Sequence, residues 1–354
     1  MTTHHSSKGM RILTEKVALR GIVSAVPSRV KQNSEFMDVF DEQVIAEVSK
    51  MTGVQTRRVA GTDQTTADLC EAAARQLMHD LQWESDSVDA ILFISQTPDY
   101  RLPATACALQ ARLGLATHCA ALDVNLGCSG YVYGLWLASR LIDGIAVKRV
   151  LLLVGDTTSK TVDPTDRATA MLFGDAGTAT ALEFSADAMA SYFVLGTDGQ
   201  GERNLIIPNS LYRSKSKLDV RMQNVNPDFL FMDGAEVFNF TLRSIPSLIS
   251  DVLAFADIQI DQVDQFLFHQ ANTFMIRHIA KKLKLPTEKV PINISRFGNT
   301  SSASIPLLIS ELRETQIMSG MQVMAGFGVG YSWAATVMNF DAMLSCRLIE
   351  VGEV

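Results

Sequence analysis

The sequence predicts an α/β protein built twice over. Two observations carry this. Short, near-continuous apolar runs, typical of strands buried on both faces, alternate with stretches whose apolar residues recur at helical spacing. The second half also repeats strands of the first. Asp86-Ser87-Val88-Asp89-Ala90-Ile91-Leu92-Phe93-Ile94 matches Asp261-Gln262-Val263-Asp264-Gln265-Phe266-Leu267-Phe268-His269, an offset of 175 residues from 86 to 261. Val150 to Gly155 finds a counterpart at Val323 to Phe327, an offset of 173 from 150 to 323. Chance likeness between buried strands competes as an explanation for either match alone. Two matches at nearly one offset favour an internal duplication with a boundary near 185 to 190.

Taken in order, Met1 to Gly9 is polar and reads as a flexible tail, His4-His5 included. Val17 to Val26 reads as a strand stopped by Pro27, and Ser34 to Lys50 as a polar helical stretch before Thr52-Gly53-Val54. Thr65-Thr66-Ala67-Asp68 opens the next helix as a capping box with Asp in place of Glu. Val88 to Ser95 is a strand, Ala104 to Leu113 a helix, Cys119 to Val124 a buried strand, and Val150 to Val154 another strand. Between the last two, apolar residues return at helical spacing from Tyr131 to Ile142.

The bulk composition narrows the function. A chain of 354 residues, 47% hydrophobic, can bury a large core. Its formal net charge of −7, with no long basic run, gives nucleic-acid binding no support. Five widely spaced cysteines without a CxxC pair, and no signal-peptide pattern, predict reduced thiols in the cytoplasm. No apolar run approaches membrane-spanning length.

Three positions carry candidate chemistry. Cys128, in Asp123-Val124-Asn125-Leu126-Gly127-Cys128-Ser129-Gly130-Tyr131, falls on a strand-to-helix turn. Unpaired N–H groups and the helix dipole there favour an anion, so the thiol is expected to ionise more easily than usual. A buried core cysteine is the alternative. His269 closes a predicted strand where its sister strand has Ile94, the place where open α/β sheets bind ligands. A structural histidine is its alternative. Asn299, in Gly298-Asn299-Thr300-Ser301, also reads as ordinary turn chemistry. Gly326-Phe327-Gly328-Val329-Gly330 forms a turn able to aim a backbone N–H at an oxyanion, with a plain hairpin as the alternative.

In this order the motifs resemble 3-oxoacyl-acyl-carrier-protein synthase III, of the thiolase-like superfamily, over roughly Val17 to Phe340. Asp163-Pro164-Thr165-Asp166-Arg167, Phe173-Gly174-Asp175-Ala176-Gly177 and His269-Gln270-Ala271-Asn272 also fall in register. The resemblance implies an αβαβα sandwich of two halves, each with a five-stranded mixed sheet, at 17–187 and 188–340. A lead-in covers 1–16 and a tail 341–354. It implies a homodimer and decarboxylative Claisen condensation of an acyl-CoA or acyl-carrier-protein donor with malonyl-acyl carrier protein, with no metal, cofactor, membrane or nucleic acid. Cys128, His269 and Asn299 take the catalytic places, with the N–H groups of Cys128 and Val329 as oxyanion hole. Arg167, Phe238, Leu102 and Phe327 take substrate-binding places.

The chain also departs from the family. Glu47 and Met51 stand where the Trp and Arg around the CoA adenine are expected, Ala235 where an Asn lines the pantetheine channel, and Phe274 where an Arg meets the carrier protein. Leu102 replaces an aromatic that caps the acyl pocket, and Val329 a glycine. These departures predict a specialised donor. A non-decarboxylating acyltransferase using the same acyl-cysteine, or a catalytically idle partner subunit, are the competing functions.

Overall fold

The computed structural model describes residues 9–212, 220–222, 225–316 and 318–353. Two mixed sheets form the frame. The first orders its six strands Ser345–Val351, Val17–Pro27, Ala176–Phe184, Arg149–Asp156, Ala90–Ile94 and Ala120–Val124. The second orders five: Met10–Thr14, Ser191–Thr197, Ser332–Asn339, Met321–Gly328 and Gln265–Phe268. The correspondence seen in the sequence is a correspondence of position. Ala90–Ile94 runs parallel to Arg149–Asp156, which runs antiparallel to Ala176–Phe184. Gln265–Phe268 runs parallel to Met321–Gly328, which runs antiparallel to Ser332–Asn339.

Between the sheets lie two helices, Gly130–Leu141 and Ser304–Arg313. One core cluster joins Tyr131, Leu135 and Ala138 of the first and Ile305 and Leu308 of the second to Leu92, Leu152, Leu267 and Met324 of the two sheets. Outside the first sheet, the helix Thr66–Leu81 buries Leu69, Ala73 and Leu77 against Ile91, Phe93 and Leu151. Outside the second, Gly234–Ala256 and Thr273–Leu283 bury Ile249, Val252 and Ile279 against Phe266, Phe268 and Val323. The layers are therefore α, β, α, β, α. Alternate residues of one strand face different helical layers, which is why the strands read as unbroken apolar runs.

Local signals explain several boundaries. Thr65 caps Thr66–Leu81, its hydroxyl accepting from the Asp68 N–H at 3.3 Å while Asp68 accepts from the Thr65 N–H at 2.7 Å. Gly53 ends the helix Glu42–Thr52 in the left-handed region, φ 84°, where a Cβ would also collide with Thr273.

Four expectations are corrected. The helix expected over 34–50 is a short 3₁₀ turn, Asn33–Phe36, followed after a break by Glu42–Thr52. The Asn33 side chain donates to Val54 O and Ser49 Oγ, both at 2.8 Å, tying this turn back to the far end of the helix. Ala120–Val124 is a strand but not a buried one: it is the sheet's edge, and Leu122 is 50% exposed. The last residues are more than a tail, because Ser345–Val351 pairs parallel to Val17–Pro27 and gives the first sheet its sixth strand. The lead-in contributes likewise: Met10–Thr14 pairs with Ser191–Thr197 in the second sheet. Among the described residues no helix is long and apolar enough to cross a membrane.

Candidate active site

Cys128 sits between the end of Ala120–Val124 and the start of the central helix Gly130–Leu141, and is 8% exposed. The glycine turn of the other half presses against it. A Cβ on Gly328 would lie 2.8 Å from Cys128 Cβ and 2.9 Å from its Sγ, and one on Gly326 would lie 2.7 Å from its carbonyl oxygen. Ser129 Oγ donates to Ser332 Oγ at 2.6 Å, and Ser332 Oγ donates to Val329 O at 2.9 Å. This relay holds the Val329 carbonyl; the N–H of the same residue reaches the Cys128 sulfur together with the N–H of Cys128 itself and the Ser301 hydroxyl.

Those donors favour the thiolate, yet they do not win. Burial, reinforced by the nearby Asp156 carboxylate, pushes the Cys128 thiol up to about 11. The expected low thiol pKa is thus not a property of the resting site.

His269 follows the strand Gln265–Phe268 and is 1% exposed. Its N–H donates to Ala325 O at 2.8 Å, and its ring stands edge-on to Phe327 with centroids 5.7 Å apart. Burial lowers the imidazole pKa to about 3, so the ring stays neutral. Its Nδ1 lies 2.7 Å from Ser304 Oγ, which also accepts the Gln270 N–H at 3.3 Å. The Ser301 backbone carbonyl accepts a ring N–H, and with Nδ1 facing Ser304 Oγ that proton is on Nε2.

Asn299 is held by its backbone on both sides, donating to Leu172 O at 2.9 Å and accepting from the Gly174 N–H at 3.1 Å. Its Oδ1 accepts the Ser301 N–H at 2.9 Å, which leaves the Nδ2 amide as a donor. Cys128, His269, Asn299, Phe327 and Val329 all line one cavity of about 630 Å³. A thiol of the first half thus shares a chamber with two neutral hydrogen-bond donors of the second.

The other expected substrate residues lie elsewhere. Arg167 does not line the chamber: it is ion-paired with Glu47 at 2.7 Å, both about half exposed. Phe238 stacks on Phe274, centroids 5.6 Å apart, while its neighbour Val237 lines the chamber. Leu102 is 77% exposed, beside the lining residues Tyr100 and Arg101.

One residue of the site went unread. Asp156, 1% exposed, lines the chamber and accepts from the Gln96 N–H at 2.7 Å, Ser95 Oγ at 3.1 Å and Ser302 Oγ at 2.6 Å. It ties the strand ends of the first half to the loop after Asn299. An acid closing the apolar run Val150–Val154 was the available signal.

The chain is similar to known proteins over most of its length. The family model for 3-oxoacyl-[acyl-carrier-protein (ACP)] synthase III matches residues 122–199, and that for its C-terminal portion matches 253–340. A beta-ketoacyl-[acyl-carrier-protein] synthase III of Caldanaerobacter subterraneus is 34% identical over 339 residues, 93% of this chain and 100% of that one. That of Geobacillus kaustophilus is 36% identical over 326 residues, 90% and 97% of the two chains. The crystal structure of a 3-oxoacyl-(acyl-carrier protein) synthase from Burkholderia xenovorans superposes with a TM-score of 0.95 at 49% identity, covering 98% of this chain and 100% of the other.

The high thiol pKa has a direct consequence. Alkylation of Cys128 by iodoacetamide, followed by peptide mass, is expected to rise about tenfold per pH unit from pH 7 to 10 without a plateau. A rate already flat at pH 8 would mean that the resting site holds the thiolate.

Proposed function

The chain belongs to the 3-oxoacyl-[acyl-carrier-protein] synthase III family and is a condensing acyltransferase of that type; from that premise we propose how its residues divide the chemistry. The observation that carries the reading is the meeting of Cys128, His269 and Asn299 in one chamber. Cys128 Sγ attacks the donor's thioester carbonyl, with the N–H groups of Cys128 and Val329 receiving the oxyanion. The carbon–sulfur bond of the donor breaks, and the cysteine proton leaves with the departing thiol. Malonyl-acyl carrier protein then enters. The Nε2–H of His269 and the Nδ2–H of Asn299 bond its thioester oxygen, carbon dioxide is lost, and the negative charge collects on that oxygen as an enolate. Donors aimed where charge develops lower this barrier more than they stabilise the substrate. The enolate carbon attacks the acyl-cysteine, a carbon–carbon bond forms, and Cys128 leaves as thiolate. A neutral histidine suits this role, because it gives a hydrogen bond without giving up its proton.

The donor is proposed to be specialised, and delivered on a carrier protein rather than as a CoA ester. Support comes from the positions around the expected nucleotide site. Glu47 stands at the stacking position the resemblance implies and is ion-paired with Arg167, so the guanidinium is engaged. Met51 is 60% exposed and carries no charge. Intact-protein mass after mixing with paired acyl-CoA and acyl-carrier-protein donors tests this. Mass gain is expected faster from the carrier-borne chain, and none in Cys128→Ala. Efficient acylation by the CoA esters alone would overturn it.

A homodimer is also proposed. The edge strand Ala120–Val124 has unpaired backbone groups and the exposed Leu122, with Leu102 and Tyr100 exposed as well. An apolar sheet edge of this kind is well suited to meet a second copy across a two-fold axis. Sedimentation at micromolar concentration is expected to give a dimer. A monomer there would contradict the proposal.

A further inference from the structure

A second, smaller cavity of about 190 Å³ lies beyond Phe173, which forms a wall of both chambers. Lys31, Phe36, Arg57, Ser159 and Pro164 also line it. Arg57 is 1% exposed, an unusual place for a guanidinium. Its Nη1 makes one long bond, to Ala170 O at 3.4 Å, and its Nη2 has no hydrogen-bond partner. A buried arginine ordinarily has its donors satisfied by a carboxylate or carbonyls.

The cations share this cavity with an aromatic ring. The Arg57 guanidinium stands 5.1 Å from the Phe36 ring centroid and Lys31 Nζ 4.2 Å from the same centroid. Two carboxylates lie within electrostatic reach, but both bond elsewhere. Asp175 accepts from the Ala60 N–H at 2.8 Å, the Ser159 N–H at 2.9 Å and Ser159 Oγ at 2.5 Å. Glu35 accepts from the Gln32 N–H at 2.7 Å. Among the described residues neither Lys31 nor Arg57 is in an ion pair. Burial and mutual repulsion lower the pKa of Lys31, and burial brings Arg57 down to about 10. Two close cations with an unused N–H at a cavity wall favour an anion with several acceptor oxygens.

We propose that this cavity binds a phosphate group, held between the Arg57 guanidinium and the Lys31 ammonium. The volume suits a phosphate with a few waters and is too small for a nucleotide. Occupancy would be felt at the catalytic loop. The Arg57 stem packs where a Cβ on Gly298 would lie, 2.8 Å from Arg57 Cγ, and Phe173 is bridged to Asn299 backbone to backbone. A bound phosphate therefore braces the segment that aims the Asn299 amide.

Isothermal titration of the full chain with inorganic phosphate, at constant ionic strength in chloride, tests the site. The parent is expected to bind, Lys31→Met to bind about tenfold more weakly, and Arg57→Gln to lose binding, reflecting the strength of charge-assisted bonds. Arg167→Ala, which removes the exposed cation paired with Glu47, is expected to bind like the parent. A coenzyme A arm separates two sources of the group. Displacement of phosphate by coenzyme A identifies it as the donor's own, and simultaneous binding identifies a free anion. Lys31 is partly exposed, so its variant keeps the test decisive should Arg57→Gln fail to fold. No heat in the parent, or equal affinity in Lys31→Met, overturns the proposal.

Discussion

The site depends on a contact without side chains. Gly326 and Gly328 let the turn of the second half lie directly against Cys128 of the first, at distances no Cβ would tolerate. That approach brings the Val329 N–H to the sulfur and lets Ser129 and Ser332 bond across the two halves. The central helices make it possible. Gly130–Leu141 and Ser304–Arg313 pack between the sheets through Tyr131, Leu135, Ala138, Ile305 and Leu308, so both halves deliver loops to one chamber. A gap of even an ångström at this seam would separate the Cys128 thiol from the Val329 N–H.

Duplication supplies the frame, and departures from it supply the chemistry. Ile94 ends its strand inside the core, whereas His269 follows the end of the sister strand at the chamber wall. One is packing and the other a hydrogen-bond donor. Burial favours the neutral form of both Cys128 and His269, so the first rests as a thiol and the second as a neutral imidazole.

Much of this was legible in the sequence. Strand period, the capping box at Thr65 and the repeat at offsets near 175 report local or buried structure, and the structure follows them. Cys128 and His269 stood at strand ends, where α/β proteins bind ligands, whereas Asn299 stood in a turn of ordinary composition. What was not legible depends on contacts distant in sequence. An apolar run such as Ala120–Val124 does not reveal whether it lies inside a sheet or at its edge. Glu47 and Arg167 are 120 positions apart, so their ion pair could not be read from either residue. The thiol pKa depends on how deeply Cys128 is buried and on Asp156, which helix position alone does not report. The final strand lay beyond the family match and had no distinctive pattern.

The central claim is that His269 and Asn299 stabilise the enolate while Cys128 carries the acyl group. Decarboxylation of malonyl-acyl carrier protein, measured beside acylation of Cys128 in His269→Ala and Asn299→Ala, tests it most directly. The account predicts that each variant loses decarboxylation by about a hundredfold or more while acylation proceeds at near the parent rate. Variants that decarboxylate normally but fail to acylate would contradict it.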